Sequence, residues 1–315
     1  MSLPATLGEA LAWARARIDA VDAKVLLREA SGASAAALVA FAERALPAEA
    51  AARFVDWVTR REAGEPVAHI LGCREFYGQL LRVTPDTLIP RPETELLVEL
   101  ALSMIAPLPL SRPDGHPLPQ GEGTADAGPA RSSSLPPGGG WPEAGRGAGA
   151  KAARVLDLGT GSGAIAIAIA LASEAQVSAI DASAAALSVA QDNAQRLSAP
   201  VRYLHGSWFA PVAGERFDLI VTNPPYIAEG DAHLAQGDVR FEPRSALTSG
   251  ADGLDDIRLI ITQAPLHLNA GGLLLIEHGY DQAAAVRDLL GAAGFGQVQS
   301  WRDLAGIERV SGGCL

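Results

Sequence analysis

Cysteine is almost missing from this chain. The two that occur, Cys73 and Cys314, stand far apart and form no metal-ligand series, so neither a disulfide framework nor a thiolate metal site is expected. A reducing cytoplasm is the simplest setting, and both thiols read as inert. A basic N-terminal region followed by a long apolar stretch is missing too, and the longest apolar run, near residue 164, is too short to span a bilayer. The reading is therefore a soluble, unexported, cytoplasmic protein with no membrane partner. Positive charge is in deficit, with 25 Lys and Arg against 36 Asp and Glu and a net charge of −11. That balance argues against broad binding to a phosphate backbone, and no stable nucleic-acid binding is expected. Arg44, Arg53, Arg60 and Arg61 come nearest to a basic patch, and they read as a solvated helix face. The six histidines are scattered and offer no ligand cluster, so no metal is expected.

What is present is enough for two domains with real cores: 315 residues, 48% of them hydrophobic. Residues 1–75 read as a small helical domain, rich in alanine, with Leu7, Leu11 and Ile18, then Val25 to Leu27, then Phe54, Val55 and Val58 marking successive buried faces. Ser31-Gly32 and Pro47 punctuate it. Residues 76–106 begin with a hairpin, since Phe76 to Val83 alternates imperfectly and Pro85, Pro90 and Pro92 then interrupt regular structure. From Glu93 a helix restarts, with Leu96, Leu97, Leu100 and Ala101 as its buried side. Residues 107–150 hold nine prolines and ten glycines, a composition that cannot bury enough apolar area to offset its ordering entropy. A disordered insertion is expected there, with Trp141 a bystander. Residues 151–315 alternate strand and helix, as a doubly wound, mostly parallel sheet does.

The chemistry concentrates at strand ends. Phe217 to Val221 reads as a buried strand and runs into Asn223-Pro224-Pro225-Tyr226. Two prolines cannot continue a strand, so these four residues form a rigid loop that presents acceptors. Asn223 Oδ1 and a proline carbonyl suit the two hydrogens of a planar NH2 group, with the Tyr226 ring against its flat face. Upstream, Val155 to Leu158 leads into Gly159-Thr160-Gly161-Ser162-Gly163 and then the small apolar segment Ala164 to Ala172. That order is strand, tight turn, helix, which brings backbone close to a nucleotide-like ligand. Ile165 to Ile169 also alternates like a strand, but a helix suits the crossover better. A second strand, Val177 to Asp181, ends in a carboxylate about twenty residues beyond the glycines, where it can hold both ribose hydroxyls. Gly161 to Ala166 also satisfies the loose dinucleotide fingerprint, so a nicotinamide oxidoreductase has to be considered. The pairing with a rigid acceptor loop about sixty residues later favours a methyltransferase acting on a planar nitrogen.

Taken in order, Arg74 to Gly78, Thr87 to Glu95, DLGTGSGAIAIAIA, Asp181, Gly206-Ser207-Trp208-Phe209, FDLIVTNPPYI, Arg240 to Leu247 and Gly253-Leu254-Asp255 resemble the peptide chain release factor glutamine N5-methyltransferase family (PrmC/HemK) over nearly the whole chain. Only residues from about 107 to 150 fall outside the resemblance. It implies a Rossmann-like methyltransferase sheet with an antiparallel hairpin at one end and S-adenosyl-L-methionine as cofactor. It also implies a release factor as protein partner, gripped in part by the helical domain, and the glutamine of a Gly-Gly-Gln tripeptide as acceptor in translation termination. A monomer is expected.

On that basis Gly159, Thr160, Gly161, Ser162 and Gly163 would bend around the methionine portion and sugar, Asp181 would take the ribose and Trp208 would flank the adenine. Asn223, Pro224, Pro225 and Tyr226 would be the catalytic and substrate-binding loop, with Asn223 also next to the cofactor. Asp157 would hold the glycine loop instead of touching cofactor. Glu242 and Arg244 would close the pocket, while Arg91 and Glu93 would approach it from the interdomain segment. Ser207 departs from the Asp expected in the family's GDWF segment, which puts one adenine hydrogen bond in doubt. An adenine N6-methyltransferase acting on DNA or RNA is the alternative, because adenine N6 is also a planar conjugated NH2 group that such an enzyme reaches by base flipping.

Overall fold

A computed structural model of the chain describes residues 3–105 and 151–315; the Pro/Gly-rich insertion and Trp141 lie outside the described residues. Five helices open the chain: α1 (Leu7–Arg15), α2 (Ala20–Ser31), α3 (Ala35–Ala40), α4 (Ala48–Glu62) and α5 (Val67–Leu71). Local chemistry sets their ends. Thr6, Asp19 and Ser34 accept backbone N–H groups at the starts of α1, α2 and α3, and Gly32 closes α2 in the left-handed conformation. The apolar faces meet in one core around Leu26, Leu27, Phe54 and Val58, all fully buried.

The hairpin follows immediately, as β1 (Cys73–Phe76) and β2 (Gln79–Arg82) around a Tyr77-Gly78 turn. It thus begins three residues before the expected boundary at residue 76, because Tyr77 and Gly78, both at positive φ, make the turn where the alternation had suggested a strand. Pro92–Thr94 forms a single 3-10 turn, and α6 (Glu95–Ile105) starts after it. That delay turns the buried stripe to Leu97, Val98, Leu100 and Ala101, leaving Leu96 only partly covered.

The remaining elements are β3 (Arg154–Leu158), α7 (Ala164–Ala172), β4 (Gln176–Asp181), α8 (Ala184–Leu197), β5 (Val201–His205), β6 (Phe217–Thr222), α9 (Asp255–His267), β7 (Leu268–Glu277), α10 (Ala283–Ala292), β8 (Gly296–Arg302) and β9 (Glu308–Cys314). Strand order is β5-β4-β3-β6-β7-β9-β8, parallel except for β9, which runs antiparallel to both its neighbours. Alternation along the strands sends Val155, Val177, Leu219, Val221 and Leu275 to one face under α6 and α7, and Leu156, Leu158, Ile220, Leu274 and Ile276 to the other under α9 and α10. The ambiguous stretch at Ile165 is helix, buried on every side between sheet and α6, which explains its lack of a polar face.

The chain moves outward from β3 in one direction through β4 and β5 and then crosses to β6 on its other side. This reversal opens a crevice at the carboxyl ends of β3, β4 and β6. Register aligns those ends: Leu158 sits opposite both Ile180 and Thr222, and Thr222 opposite Ile276. Gly159, Asp181, Asn223 and Glu277 are therefore neighbours along a single rim.

Candidate active site

The glycine turn is tied to the next strand before any ligand is considered. Gly159 N and Thr160 N both donate to Ile180 O at 2.9 Å, and Gly161 N donates to Asp181 Oδ2 at 2.8 Å. Asp181 Oδ1 accepts Ser183 N at 2.8 Å, so each carboxylate oxygen has used one acceptor site and keeps another for a ligand hydroxyl. A cavity of about 290 Å³ lies above this turn, lined by Gly159, Gly161, Asp181, Trp208, Asn223 and Pro225, with Ser207 also in its wall. Gly159 has φ +71, and a Cβ there would stand 3.4 Å from the Trp208 ring, so the bare backbone keeps the floor of the cavity low. Trp208 itself has φ +44, a conformation that costs a non-glycine residue on the order of 1 kcal/mol or more and holds the indole across that floor.

Not every residue of the loop faces the cavity. Thr160 and Ser162 are buried, with Thr160 Oγ1 donating to Asp157 Oδ2 at 2.6 Å, and Gly163 turns toward Ile167, Ala190 and Tyr203 in the core. Asp157 is fully buried, which pushes its carboxyl up to about 7 against the pull of the Thr160 hydroxyl and the Ala166 amide. It braces the turn from below. A residue the sequence reading did not single out completes the brace: Asn193, on α8 and fully buried, accepts Arg82 N at 2.7 Å and donates to Arg82 O and Ser162 O. One side chain thus pins the hairpin to the glycine loop.

Asn223 begins the rigid loop directly beyond β6. Its Nδ2 donates to Thr94 Oγ1 at 3.2 Å, which leaves Oδ1 with no donor among the described residues. Pro224 is buried, Tyr226 is half-buried, and the Tyr226 carbonyl accepts Gln282 Nε2 at 2.9 Å. Burial raises the Tyr226 phenol well above its ordinary value and keeps it neutral. A second, smaller cavity of about 140 Å³ opens beside the first, lined by Leu88, Arg91, Asn223, Pro224, Tyr226 and Val239 among others. Asn223 belongs to the walls of both.

Glu242, expected to close the pocket, meets Arg91, expected to approach it from the interdomain segment. The Glu242 side chain is fully buried, pairs with the Arg91 guanidinium and accepts Ile89 N at 2.9 Å, so it staples the interdomain segment to the loop after Tyr226. Arg244 and Glu93 are exposed and line neither cavity. Glu277, at the carboxyl end of β7, was not singled out from sequence. It is buried, and Thr94 and Asn223 both offer it their side chains as hydrogen-bond partners. Its carboxyl is pushed up to about 7, chiefly by burial.

Among the described residues no helix is long and apolar enough to cross a membrane, and no group of three His, Cys, Asp or Glu side chains could hold a metal ion. Comparison with known proteins agrees with this geometry. Residues 148–243 match the family model described as "Methyltransferase small domain", and residues 9–72 match "PrmC N-terminal domain". The catalytic domain of human Mettl16, solved with an RNA hairpin, covers 84% of this chain and 81% of its own at a TM-score of 0.50 and 13% identity, a likeness of fold alone. Proteins named release factor glutamine methyltransferase match far more closely in sequence. That of Pseudomonas aeruginosa is 47% identical over 92% of this chain and 91% of its own, and that of Escherichia coli 40% over 92% and 90%. The protein of that name from Burkholderia pseudomallei is 46% identical over 99% of this chain and 97% of its own. With that coverage from end to end, and with the helical domain, the glycine turn and the Asn223 loop all in place, the chain belongs to the release factor glutamine methyltransferase family.

Proposed function

We propose that this protein transfers the methyl group of S-adenosyl-L-methionine to the side-chain amide nitrogen of the glutamine in the Gly-Gly-Gln motif of a release factor. The observation that carries the reading is the position of Asn223, which lines both the larger cavity above Asp181 and the smaller one beside Tyr226. The residues fit the cofactor. Gly159 and Gly161, both at positive φ, line the cavity with bare backbone, Asp181 keeps acceptor sites for ribose hydroxyls, and Trp208 supplies a flat apolar wall for adenine. Ser207 stands in that wall with a hydroxyl where a carboxylate was expected, so adenine recognition leans more on Trp208. When bound, the cofactor supplies a methyl group on a positively charged sulfur and needs only a well-placed electron pair.

The protein's work is to provide that placement. An amide nitrogen shares its lone pair with the carbonyl, as firmly as the barrier of about 18–20 kcal/mol to amide rotation implies. Asn223 Oδ1 and the Pro224 carbonyl accept the two amide hydrogens, draw density onto nitrogen and fix its direction, each bond contributing about 1 kcal/mol net. As the new N–C bond forms, the methyl–sulfur bond would break to leave a neutral thioether, and one of the two held hydrogens would leave as a proton to solvent. Confinement between Tyr226 and the first cavity supplies more, since holding reactants in line is worth about 7–11 kcal/mol. The helical domain grips the release factor, and the enzyme works as a cytoplasmic monomer.

Mass spectrometry of a release factor digest, after incubation with enzyme and cofactor, tests the reading. One methyl group on the glutamine of the tripeptide is expected; a methyl group found instead on adenine in added DNA or RNA would favour the nucleic-acid alternative.

A further inference from the structure

Asn223 can serve as acceptor only while its amide points one way. Rotated by half a turn, Nδ2 would face the substrate NH2, and two donors would oppose each other. The loop itself does nothing to prevent this, because an Asn side chain is nearly symmetric in shape. The restraint comes from behind. Asn223 Nδ2 donates to Thr94 Oγ1 at 3.2 Å, and Thr94 is buried where the interdomain turn meets the sheet. Parallel pairing of Thr222 with Ile276 sets the next residue of each strand, Asn223 and Glu277, side by side. Glu277 is 1% exposed, with Thr94 and Asn223 both within reach of its carboxyl and with Oε2 unpartnered among the described residues.

A hydroxyl donates one hydrogen. With Glu277 ionised and able only to accept, the Thr94 hydrogen turns to Glu277, and Thr94 Oγ1 is left to accept from Asn223 Nδ2. The chain of donors then has one direction, and Asn223 Oδ1 is forced outward. With Glu277 protonated, its own hydrogen can turn to Thr94 and the direction can reverse. We propose that Glu277 is a positioning residue: acting through Thr94, and by accepting directly from the Asn223 amide, its carboxylate fixes the orientation of that amide and so makes the loop an acceptor for the substrate nitrogen.

The proposal rests on the glutamine-amide reading of the site. The groups facing Glu277 from the packed elements pull in opposite directions. Arg309 on β9 favours the charged form; Glu93, ahead of α6, disfavours it, as burial does; and Tyr226, beyond β6, sits close enough to be affected by Glu277 in turn. Their balance leaves the carboxyl at about 7, so the orienting form gains population as pH rises through neutrality.

The test compares wild type, Glu277→Gln and Thr94→Val, measuring methyl transfer to a release factor across pH, cofactor affinity by calorimetry, and thermal midpoint. Wild-type kcat is expected to rise through about pH 7. Glu277→Gln is expected to keep cofactor Kd within about twofold, lose at least about tenfold in kcat at high pH and lose that rise altogether. Thr94→Val, which keeps the side chain's outline but removes the hydroxyl, is expected to lose kcat similarly while still unfolding cooperatively at a somewhat lower temperature, and it decides the matter if Glu277→Gln does not fold. Wild-type kcat and pH profile in either folded variant would overturn the proposal while leaving the functional reading intact. A wild-type protein that methylates no release factor would instead sink the reading beneath it.

Discussion

Asp157 and Glu277 are two buried carboxyls that titrate at about 7, each for the same first cause, loss of water. The fold raises both above their unfolded values, so the folded chain holds protons that the unfolded chain releases. The stability tied to those protons is fully present at acid pH, below the ordinary carboxylate range, and is lost as pH climbs through about 7. Asp157→Asn keeps an oxygen for the Thr160 hydroxyl while removing the titration. Thermal melts between about pH 5 and about pH 8 are expected to show the variant gaining on wild type as pH rises; a gap that stays constant would mean that Asp157 does not titrate in this range. The bracing role of Asp157 could be read ahead of the structure, because an acid at the end of a strand beside a glycine turn has few other places to point. Glu277 could not. It also ends a strand, but its importance comes from Thr94 and Asn223, which lie far from it in sequence and reach it only through sheet register and the interdomain turn.

At the level of elements, the Asn223 loop is held by what lies behind it. Gly253 has φ +76, and a Cβ built there would fall 2.2 Å from the Tyr226 carbonyl, the same oxygen that accepts Gln282. Gly253→Ala must therefore strain its own backbone and push the loop. A cost of about 1–3 kcal/mol in stability is expected, together with a loss of kcat beyond about tenfold, measured by denaturant unfolding and methyl transfer. Wild-type values in both would show that the loop tolerates displacement. The loop and the glycine turn were legible in sequence because each is a local motif whose backbone consequences follow from proline or glycine. The hairpin was legible in kind but not in position: the repeating pattern carried on through Tyr77 and Gly78, and only their positive φ shows the chain turning there. Asn193 carried no signal at all, being one polar residue in a helix whose role depends on Arg82 and Ser162 arriving from elsewhere.

Across the whole molecule, the two ends of the protein are bound through the site. Arg61 on α4 bridges Asp22 of its own domain to Asp238 of the segment after the Asn223 loop, and Arg240 donates to the Ala63 carbonyl. Glu242 joins the same segment to Ile89 and Arg91. The smaller cavity beside Asn223 is thus walled by three stretches of chain that only the complete fold assembles. The stretch from 107 to 150 is rich in Pro and Gly and poor in large apolar residues, a composition ill suited to building a core. Deleting residues 111–147 is accordingly expected to leave methyl transfer nearly intact, as steady-state assays on a release factor can show, and a loss beyond about tenfold would give the segment a role. Everything in this assembly converges on one side chain. Methyl transfer to a release factor by Asn223→Ala, run beside calorimetric titration with the cofactor, should show kcat lower by about 10² or more with cofactor affinity nearly unchanged. An unaltered rate would contradict the assignment of this loop as the clasp for the glutamine amide.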